Sequence, residues 1–204
     1  MTNLMITQGC TGTYSIIDVL GDHFNFGRGH GNINHHCRNP NLDPDRDISF
    51  EGSRLAYIFC NPYDYAISSF NRGAKFNEVH NRPDQCNGDH EYFRDRQGQT
   101  LKEYLEDPHD AYLYREHAEG YLNNPDRAYD LLFLKYEALD VHGIKPLLEF
   151  WNVSMDPAIY KFKKRKSDWT QQPTEIKDLL SKKYGATMEW YQSLPLVQQL
   201  SRVK

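Results

Sequence analysis

Gly9-Cys10-Thr11-Gly12-Thr13-Tyr14 is the stretch on which the fold prediction depends. It follows a short apolar run, Leu4-Met5-Ile6, that is typical of a buried strand, and it leads into residues 15–20, where apolar residues recur at helical spacing. A strand, a glycine turn and a helix N-terminus form an anion site, because the N–H groups of the turn and the helix dipole both attract negative charge. We therefore predict that the backbone of residues 10–14 binds a phosphate, with Thr11 and Thr13 as hydroxyl donors.

This loop lacks the residues of two common nucleotide-binding motifs. A Walker A loop requires a lysine followed by Ser or Thr, and no lysine occurs between Gly9 and Leu20. The G-x-G-x-x-G pattern of a Rossmann dinucleotide site is also missing from this segment. Both observations count against a phosphoryl-transfer P-loop enzyme and against a dinucleotide-dependent oxidoreductase.

The composition predicts one domain over residues 1–204. The chain has 204 residues, enough for a sizeable core, and its 13% aromatic residues can supply core area that the 39% hydrophobic fraction alone leaves short. The formal net charge is −4, so no overall basic field favours a nucleic-acid partner.

The cysteines and the N-terminus indicate the compartment that we expect. The four cysteines, at 10, 37, 60 and 86, show no C-x-x-C spacing, which counts against a zinc ribbon or a thioredoxin motif and favours reduced thiols. The sequence contains neither an 18-residue apolar run nor a signal-like N-terminus. We therefore expect a cytoplasmic protein without a membrane partner.

Apolar runs alternate with helical patterns along the chain, which predicts an α/β layer fold. The near-continuous apolar runs within 54–60 and 130–136 are typical of strands buried on both faces of a parallel sheet. Residues 74–99 are polar and carry little periodicity, so we expect a long surface loop or lid there. The other predicted strands are 3–8 and 31–36, and the predicted helices are 13–21, 63–72, 100–105, 110–122, 142–151, 156–161, 173–183 and 185–192.

A second motif follows the predicted strand at 54–60. It reads Cys60-Asn61-Pro62-Tyr63-Asp64, with Ser68 one helical turn beyond Asp64. Asn-Pro turns the chain, and an acidic residue suits the first turn of a helix. The hydroxyl of Ser68 is then placed to bind a second phosphate, opposite the first loop.

Together these segments resemble the sulfotransferases that use 3′-phosphoadenylyl sulfate (PAPS). In that family a strand–loop–helix of the form P-K/R-S-G-T binds the 5′-phosphosulfate, and a later R-N-P-x-D-x-x-x-S motif binds the 3′-phosphate through its Arg and Ser. Residues 9–13 and 60–68 stand at the corresponding places.

Three further segments resemble the family, in the same order. Residues 133–139, followed by 144–151, are similar to the strand that ends in Y-E-D and to its next helix. Tyr114 resembles the tyrosine that packs near the adenine. Residues 165–169, Arg-Lys-Ser-Asp-Trp, are similar to a shortened form of the segment that closes over the 3′-phosphate.

The resemblance implies a P-loop-like three-layer fold with a central, mostly parallel sheet flanked by helices. It implies transfer of a sulfuryl group from PAPS to a hydroxyl or amine acceptor, with adenosine 3′,5′-bisphosphate as product and no metal. It also assigns the cofactor-binding residues: Cys10, Thr11, Gly12, Thr13 and Tyr14 at the 5′-phosphosulfate, Cys60, Ser68, Arg165 and Lys166 at the 3′-phosphate, and Tyr114 at the adenine.

The acceptor must lose a proton, and histidine suits this task because its pKa lies near neutrality. The family often places a histidine a little over twenty residues before R-N-P. His35 and His36 precede Cys60 by a similar interval, so either is the predicted catalytic base, with His36 preferred and Glu or Asp from the loops as the alternative.

Two departures from the family pattern support an alternative. Cys10 and Cys60 stand where the family has basic residues, and a thiol cannot replace a bidentate Arg–phosphate contact. The alternative is a protein of the same fold that binds a nucleotide or a sulfated ligand without turnover.

We predict no metal site, because no partner pair at metal spacing accompanies the candidate ligands His30, His35, His36 and Cys37. Small molecules, carbohydrates and peptides all remain possible acceptors, and the oligomeric state is open.

Overall fold

The computed structural model of the chain describes residues 1–8, 13–23, 36–44, 47–71, 90–96, 98–162 and 167–203. The strands are β1 (Asn3–Thr7), β2 (Leu42–Asp43), β3 (Ile48–Ser49), β4 (Arg54–Phe59), β5 (Asp130–Lys135) and β6 (Val197–Leu200). The α-helices are α1 (Thr13–Leu20), α2 (Pro62–Asn71), α3 (His90–Asp95), α4 (Leu101–Glu106), α5 (Tyr114–Leu122), α6 (Ala138–His142), α7 (Lys145–Trp151) and α8 (Thr174–Ser193). Short 3₁₀ turns span Gly21–His23, Pro157–Ile159 and Trp169–Gln171.

The main sheet has the order β1-β4-β5-β6. β1 and β5 both run parallel to β4, whereas β6 pairs antiparallel with β5. The predicted α/β class, with a mostly parallel sheet flanked by helices, is confirmed. Register places Thr7 opposite Ile58 and Phe59 opposite Lys135, so the carboxyl ends of β1, β4 and β5 lie at one edge.

Aromatic side chains fill the centre of the core, as the composition indicated. The ring of Phe133 on β5 stacks on that of Tyr57 at 5.2 Å between centroids and contacts Phe59 at 4.3 Å. Tyr121, on α5, lies 4.7 Å from Tyr57. Outside this cluster, α8 packs against α2 and α4, and α7 packs against β4.

Several element boundaries differ from those predicted. The two helices predicted at 173–183 and 185–192 are one helix, α8, because Gly185 is accommodated inside it and a Cβ there would meet only Ser181 at 4.0 Å. The helix predicted at 110–122 begins at Tyr114, since Leu113 adopts a left-handed conformation with φ 48°. The segment predicted at 156–161 contains only a 3₁₀ turn.

Two further predictions concern residues that the structure describes only in part. The segment 74–99 was expected to be irregular, but its C-terminal part contains α3. Most of the predicted strand at 31–36 lies outside the described residues. Within the described ranges, no helix has both the length and the apolar character that crossing a membrane requires.

We expect Phe133→Ala to lower the free energy of unfolding by about 3–5 kcal/mol, because the ring is buried between Tyr57 and Phe59 and its loss leaves a cavity. Urea denaturation measures this change. Val141→Ala is the matched control: this side chain is 65% exposed and its truncation is expected to change stability by less than about 0.5 kcal/mol. Equal effects of the two substitutions would contradict the assignment of Phe133 to the core.

Candidate functional site

The carboxyl edge of β1, β4 and β5 is the place where polar groups gather. Two backbone hydrogen bonds extend the sheet pairing past the strands. The Gln8 N–H donates to the Ile58 carbonyl at 3.1 Å, and the Tyr136 N–H donates to the Phe59 carbonyl at 2.7 Å. These bonds bring the connections after all three strands together. Ligands of parallel α/β sheets bind outside this edge of the strands.

Asn61 directly precedes α2 and links its start to the end of β5. Its Oδ1 accepts the N–H of Tyr63 at 2.9 Å, and Pro62 occupies the first helical position, where the missing N–H costs nothing. The Asn61 N–H donates to Oε1 of Glu137 at 3.4 Å, while the hydroxyl of Tyr191 donates to Oε2 of the same carboxylate. Glu137 therefore joins the start of α2, the turn after β5 and the C-terminal part of α8.

A pocket of about 220 Å³ opens beside this junction. The rings of Tyr136 and Phe162 lie in its wall with centroids 5.2 Å apart. Next to the lining residue Asp168, the Trp169 N–H donates to Oδ1 of Asp64 at 2.8 Å, and the Trp169 ring meets Tyr63 edge-on. The complete lining is Asp64, Tyr136, Glu137, Asp140, Phe162, Ser167 and Asp168.

The pocket lining is acidic. Four of its seven residues are carboxylates, and none of the described residues that line it is basic. In the sequence a run of cations directly precedes Ser167, namely Lys161, Lys163, Lys164, Arg165 and Lys166. Of these, Lys161 is exposed, and the other four lie outside the described residues.

His36 lies against the end of β1. Its Nδ1 is 2.8 Å from the carbonyl oxygen of Thr7. A carbonyl only accepts hydrogen bonds, so Nδ1 carries the proton and donates it to Thr7. In the neutral ring Nε2 is then the nitrogen with the lone pair, which is the form that a general base requires. His35, the other predicted base, lies outside the described residues.

Tyr114 connects the ends of β1 and β4. Its hydroxyl donates to the carbonyl of Cys60, and its own carbonyl accepts from Nε2 of Gln8 at 2.5 Å. Only 1% of Tyr114 is exposed, and it does not line the pocket. Contact with an adenine therefore requires the ring to become accessible, and that assignment stays a prediction.

The remaining predicted cofactor residues divide into three groups. Cys60 is fully buried at the carboxyl end of β4, and Ser68 is half-buried on α2. Thr13 and Tyr14 begin α1, at the position predicted for a phosphate-binding helix N-terminus, although the structure describes their backbone alone. Outside the described residues lie Cys10, Thr11, Gly12, Arg165 and Lys166.

His117 was not singled out in the sequence, because an isolated histidine on a helix carries no pattern. It is buried on α5, where its Nε2 lies 2.9 Å from the Cys37 carbonyl and its Nδ1 lies 2.6 Å from the hydroxyl of Tyr57. Nε2 is thus the protonated nitrogen, and Nδ1 accepts the proton of Tyr57. Tyr136 and Phe162 were also missed as pocket-lining residues, since only the folded chain brings them together.

No metal cluster is found in the described part of the chain: no three or more His, Cys, Asp or Glu residues there are grouped so that they hold an ion. His36 and Cys37 belong to that part, whereas His30 and His35 do not.

No protein-family model matches the chain, and neither a curated protein nor a solved structure matches it.

Burial disfavours the charged imidazolium and lowers the pKa of His117 from 6.5 to about 3. The unfolded chain binds this proton at higher pH than the folded chain, so the stabilisation is complete above pH 6.5 and decreases as the pH falls toward 3. One such group makes stability fall by about 1.4 kcal/mol per pH unit in this window.

We therefore expect the wild type to lose about 2 kcal/mol more than His117→Gln between pH 6.5 and pH 5, because the variant lacks this titration. Urea denaturation of both proteins at the two pH values measures the difference. Parallel losses in the two proteins would contradict a neutral, buried His117.

Proposed function

We propose that the chain is a PAPS-dependent sulfotransferase with a P-loop-like fold. The observation that carries the proposal is that three of the family-like segments, far apart in sequence, line one pocket at the carboxyl edge of the sheet. They are represented there by Asp64, by Tyr136-Glu137 and by Ser167-Asp168. Direct hydrogen bonds join them, from Trp169 to Asp64 and from Asn61 to Glu137.

In this proposal the pocket holds the adenine of the nucleotide. Its volume of about 220 Å³ is below the roughly 300–1,000 Å³ of sites that enclose a whole drug-sized ligand, so it suits one planar base. Tyr136 and Phe162 offer ring surfaces against which a base can pack. The carboxylates offer acceptors for the exocyclic amine. Tyr136 thus takes the role that the family resemblance implied for Tyr114.

The phosphates extend from the base toward the two predicted anion-binding elements. The backbone of residues 10–14 holds the 5′-phosphosulfate at the start of α1, and Ser68, Arg165 and Lys166 hold the 3′-phosphate. A nucleotide with several negative charges beside four carboxylates requires compensation, and the cationic run 161–166 supplies it.

The chemistry assigned to the site is in-line transfer of SO₃ from PAPS to an acceptor hydroxyl or amine. Nε2 of His36 takes the acceptor proton as the new O–S or N–S bond forms and the bond to the bridging oxygen of PAPS breaks. The negative charge that develops on the departing phosphate is stabilised by the amides at the N-terminus of α1. The acceptor is a small molecule, a carbohydrate or a peptide, selected in part by the segment 74–99.

A specific observation favours a second candidate, nucleotide binding without turnover. Cys60 is fully buried, and its carbonyl is held by Tyr114, so the position that has an arginine in the family offers no cation to a phosphate. Cys10 likewise replaces the basic residue beside the leaving oxygen. Loss of such stabilisation typically costs about 3 kcal/mol of transition-state binding.

Calorimetric titration with adenosine 3′,5′-bisphosphate tests the proposed pocket. We expect micromolar binding by the wild type and roughly tenfold weaker binding by Phe162→Ala, since stacking on one aromatic ring contributes about 1–3 kcal/mol per base. Phe70→Ala is the control. The Phe70 ring is also half-buried, but it packs on Tyr104 and Tyr112 outside the pocket. The affinity of this variant for the bisphosphate should therefore match that of the wild type.

No binding by the folded wild type, or equal weakening by both variants, would contradict the nucleotide pocket. A preference for the bisphosphate over adenosine 5′-monophosphate is expected as well, because only the bisphosphate carries the 3′-phosphate.

Turnover separates the two candidates. Sulfuryl transfer predicts that PAPS is converted to adenosine 3′,5′-bisphosphate in the presence of an acceptor, at the same rate with and without EDTA. Binding without turnover predicts that PAPS remains intact across phenol, alcohol, carbohydrate and peptide acceptors. A requirement for Mg²⁺ with ATP as donor would instead favour phosphoryl transfer.

A further inference from the structure

The carbonyl of Cys37, the residue after His36, is held by two buried side chains of α5. The carbonyl oxygen of Cys37 accepts a hydrogen bond from Nε2 of His117 at 2.9 Å and another from the hydroxyl of Tyr121 at 2.8 Å. His117 and Tyr121 are four residues apart, so they lie on the same face of the helix, one turn from each other. Both are almost completely buried.

This arrangement continues into the core. The hydroxyl of Tyr57, on β4, donates to Nδ1 of His117 at 2.6 Å, and the Tyr57 ring stacks on Phe133. His117 therefore has both ring nitrogens engaged and cannot turn without losing a bond. The Cys37 carbonyl is thus linked through His117 and Tyr57 to β4, an interior strand of the sheet.

His36 is consequently held from two sides. Its ring donates from Nδ1 to the Thr7 carbonyl. The carbonyl of the next residue, Cys37, accepts hydrogen bonds from His117 and Tyr121 of α5. The side chain of Cys37 adds to this, since its thiol donates to the carbonyls of Asn39 and Leu42 at 3.4 and 3.3 Å. The backbone around His36 thus has a fixed place relative to β1.

Fixing the backbone has a chemical consequence at the ring. A neutral histidine in water prefers the proton on Nε2, but the bond to Thr7 requires it on Nδ1. The less common tautomer is maintained only while the ring stays within reach of that carbonyl. Movement of the 36–37 backbone by about 1 Å breaks the bond.

We propose that His117 and Tyr121 are positioning residues, which hold the Cys37 peptide so that His36 keeps its proton on Nδ1 and presents Nε2 as the proton acceptor. The fixed tautomer follows from the hydrogen bonds alone. Only its use, as the general base of sulfuryl transfer, rests on the proposed function.

The tautomer is measured by NMR of the imidazole nitrogens in protein labelled with ¹⁵N-histidine, at about pH 8 where an ordinary histidine is neutral. Comparison with His36→Gln assigns the His36 signals. In the wild type we expect a protonated Nδ1 and an unprotonated Nε2. Tyr121→Phe and His117→Leu are each expected to shift His36 toward the Nε2-protonated form, because the Cys37 carbonyl loses a donor.

Two further variants separate positioning from general destabilisation. His117→Gln keeps an N–H donor at a similar reach and should restore most of the wild-type spectrum. Tyr184→Phe also removes a buried hydroxyl, one that bonds to Tyr104 and Asp110 away from His36, and should leave the His36 tautomer unchanged. If His117→Leu does not fold, Tyr121→Phe still carries the test.

An unchanged His36 tautomer in folded Tyr121→Phe would overturn the proposal. If the wild type turns over PAPS, the same variant should lower kcat by about 100-fold and leave the KM for PAPS unchanged, since misplacing a base by 1 Å has an effect of that size. Loss of the tautomer in a protein that never turns over PAPS would support the positioning role and contradict the proposed function.

Discussion

The parallel pairing of β4 with β1 and β5 is the constraint on which the rest of the structure depends. The interiors of these strands are apolar or aromatic and buried, so their polar connections can lie only beyond the strand ends. Because Thr7 pairs with Ile58 and Phe59 pairs with Lys135, three of those connections emerge at one edge. The candidate site follows from this alignment.

Tyrosine hydroxyls link the core to the site. The large majority of buried hydroxyls in proteins are hydrogen-bonded, and four of the tyrosines form such bonds beneath the carboxyl edge. Tyr114 bonds to the Cys60 carbonyl, Tyr191 to Glu137, Tyr121 to Cys37, and Tyr57 to His117. An aromatic core built from Phe or Leu would bury similar area but would leave the backbone around His36 and Asn61 without these bonds. The tyrosine-rich composition therefore affects the geometry of the site as well as stability.

The sequence predicted the elements whose patterns are strong and local. β4 and β5 were recognisable as near-continuous apolar runs, and α2 from its Asn-Pro start. β6 was not predicted, because Val197-Gln198-Gln199-Leu200 is a short edge strand that tolerates polar residues. The start of α5 was misplaced because the Asp110 carboxylate, which accepts the N–H groups of Tyr112 and Tyr114, organises a turn there. The interval before Cys60 predicted His35 or His36 as the base, whereas the pairing of Tyr136 with Phe162 is tertiary and no local pattern predicts it.

A crystal structure of the protein with adenosine 3′,5′-bisphosphate tests most directly whether this pocket binds the nucleotide. We expect the adenine to lie against Tyr136 and Phe162, with the 3′-phosphate near Ser68 and the 5′-phosphate at the start of α1. A nucleotide bound away from the carboxyl edge of β1, β4 and β5, or an empty pocket beside Tyr136 at saturating nucleotide, would contradict it.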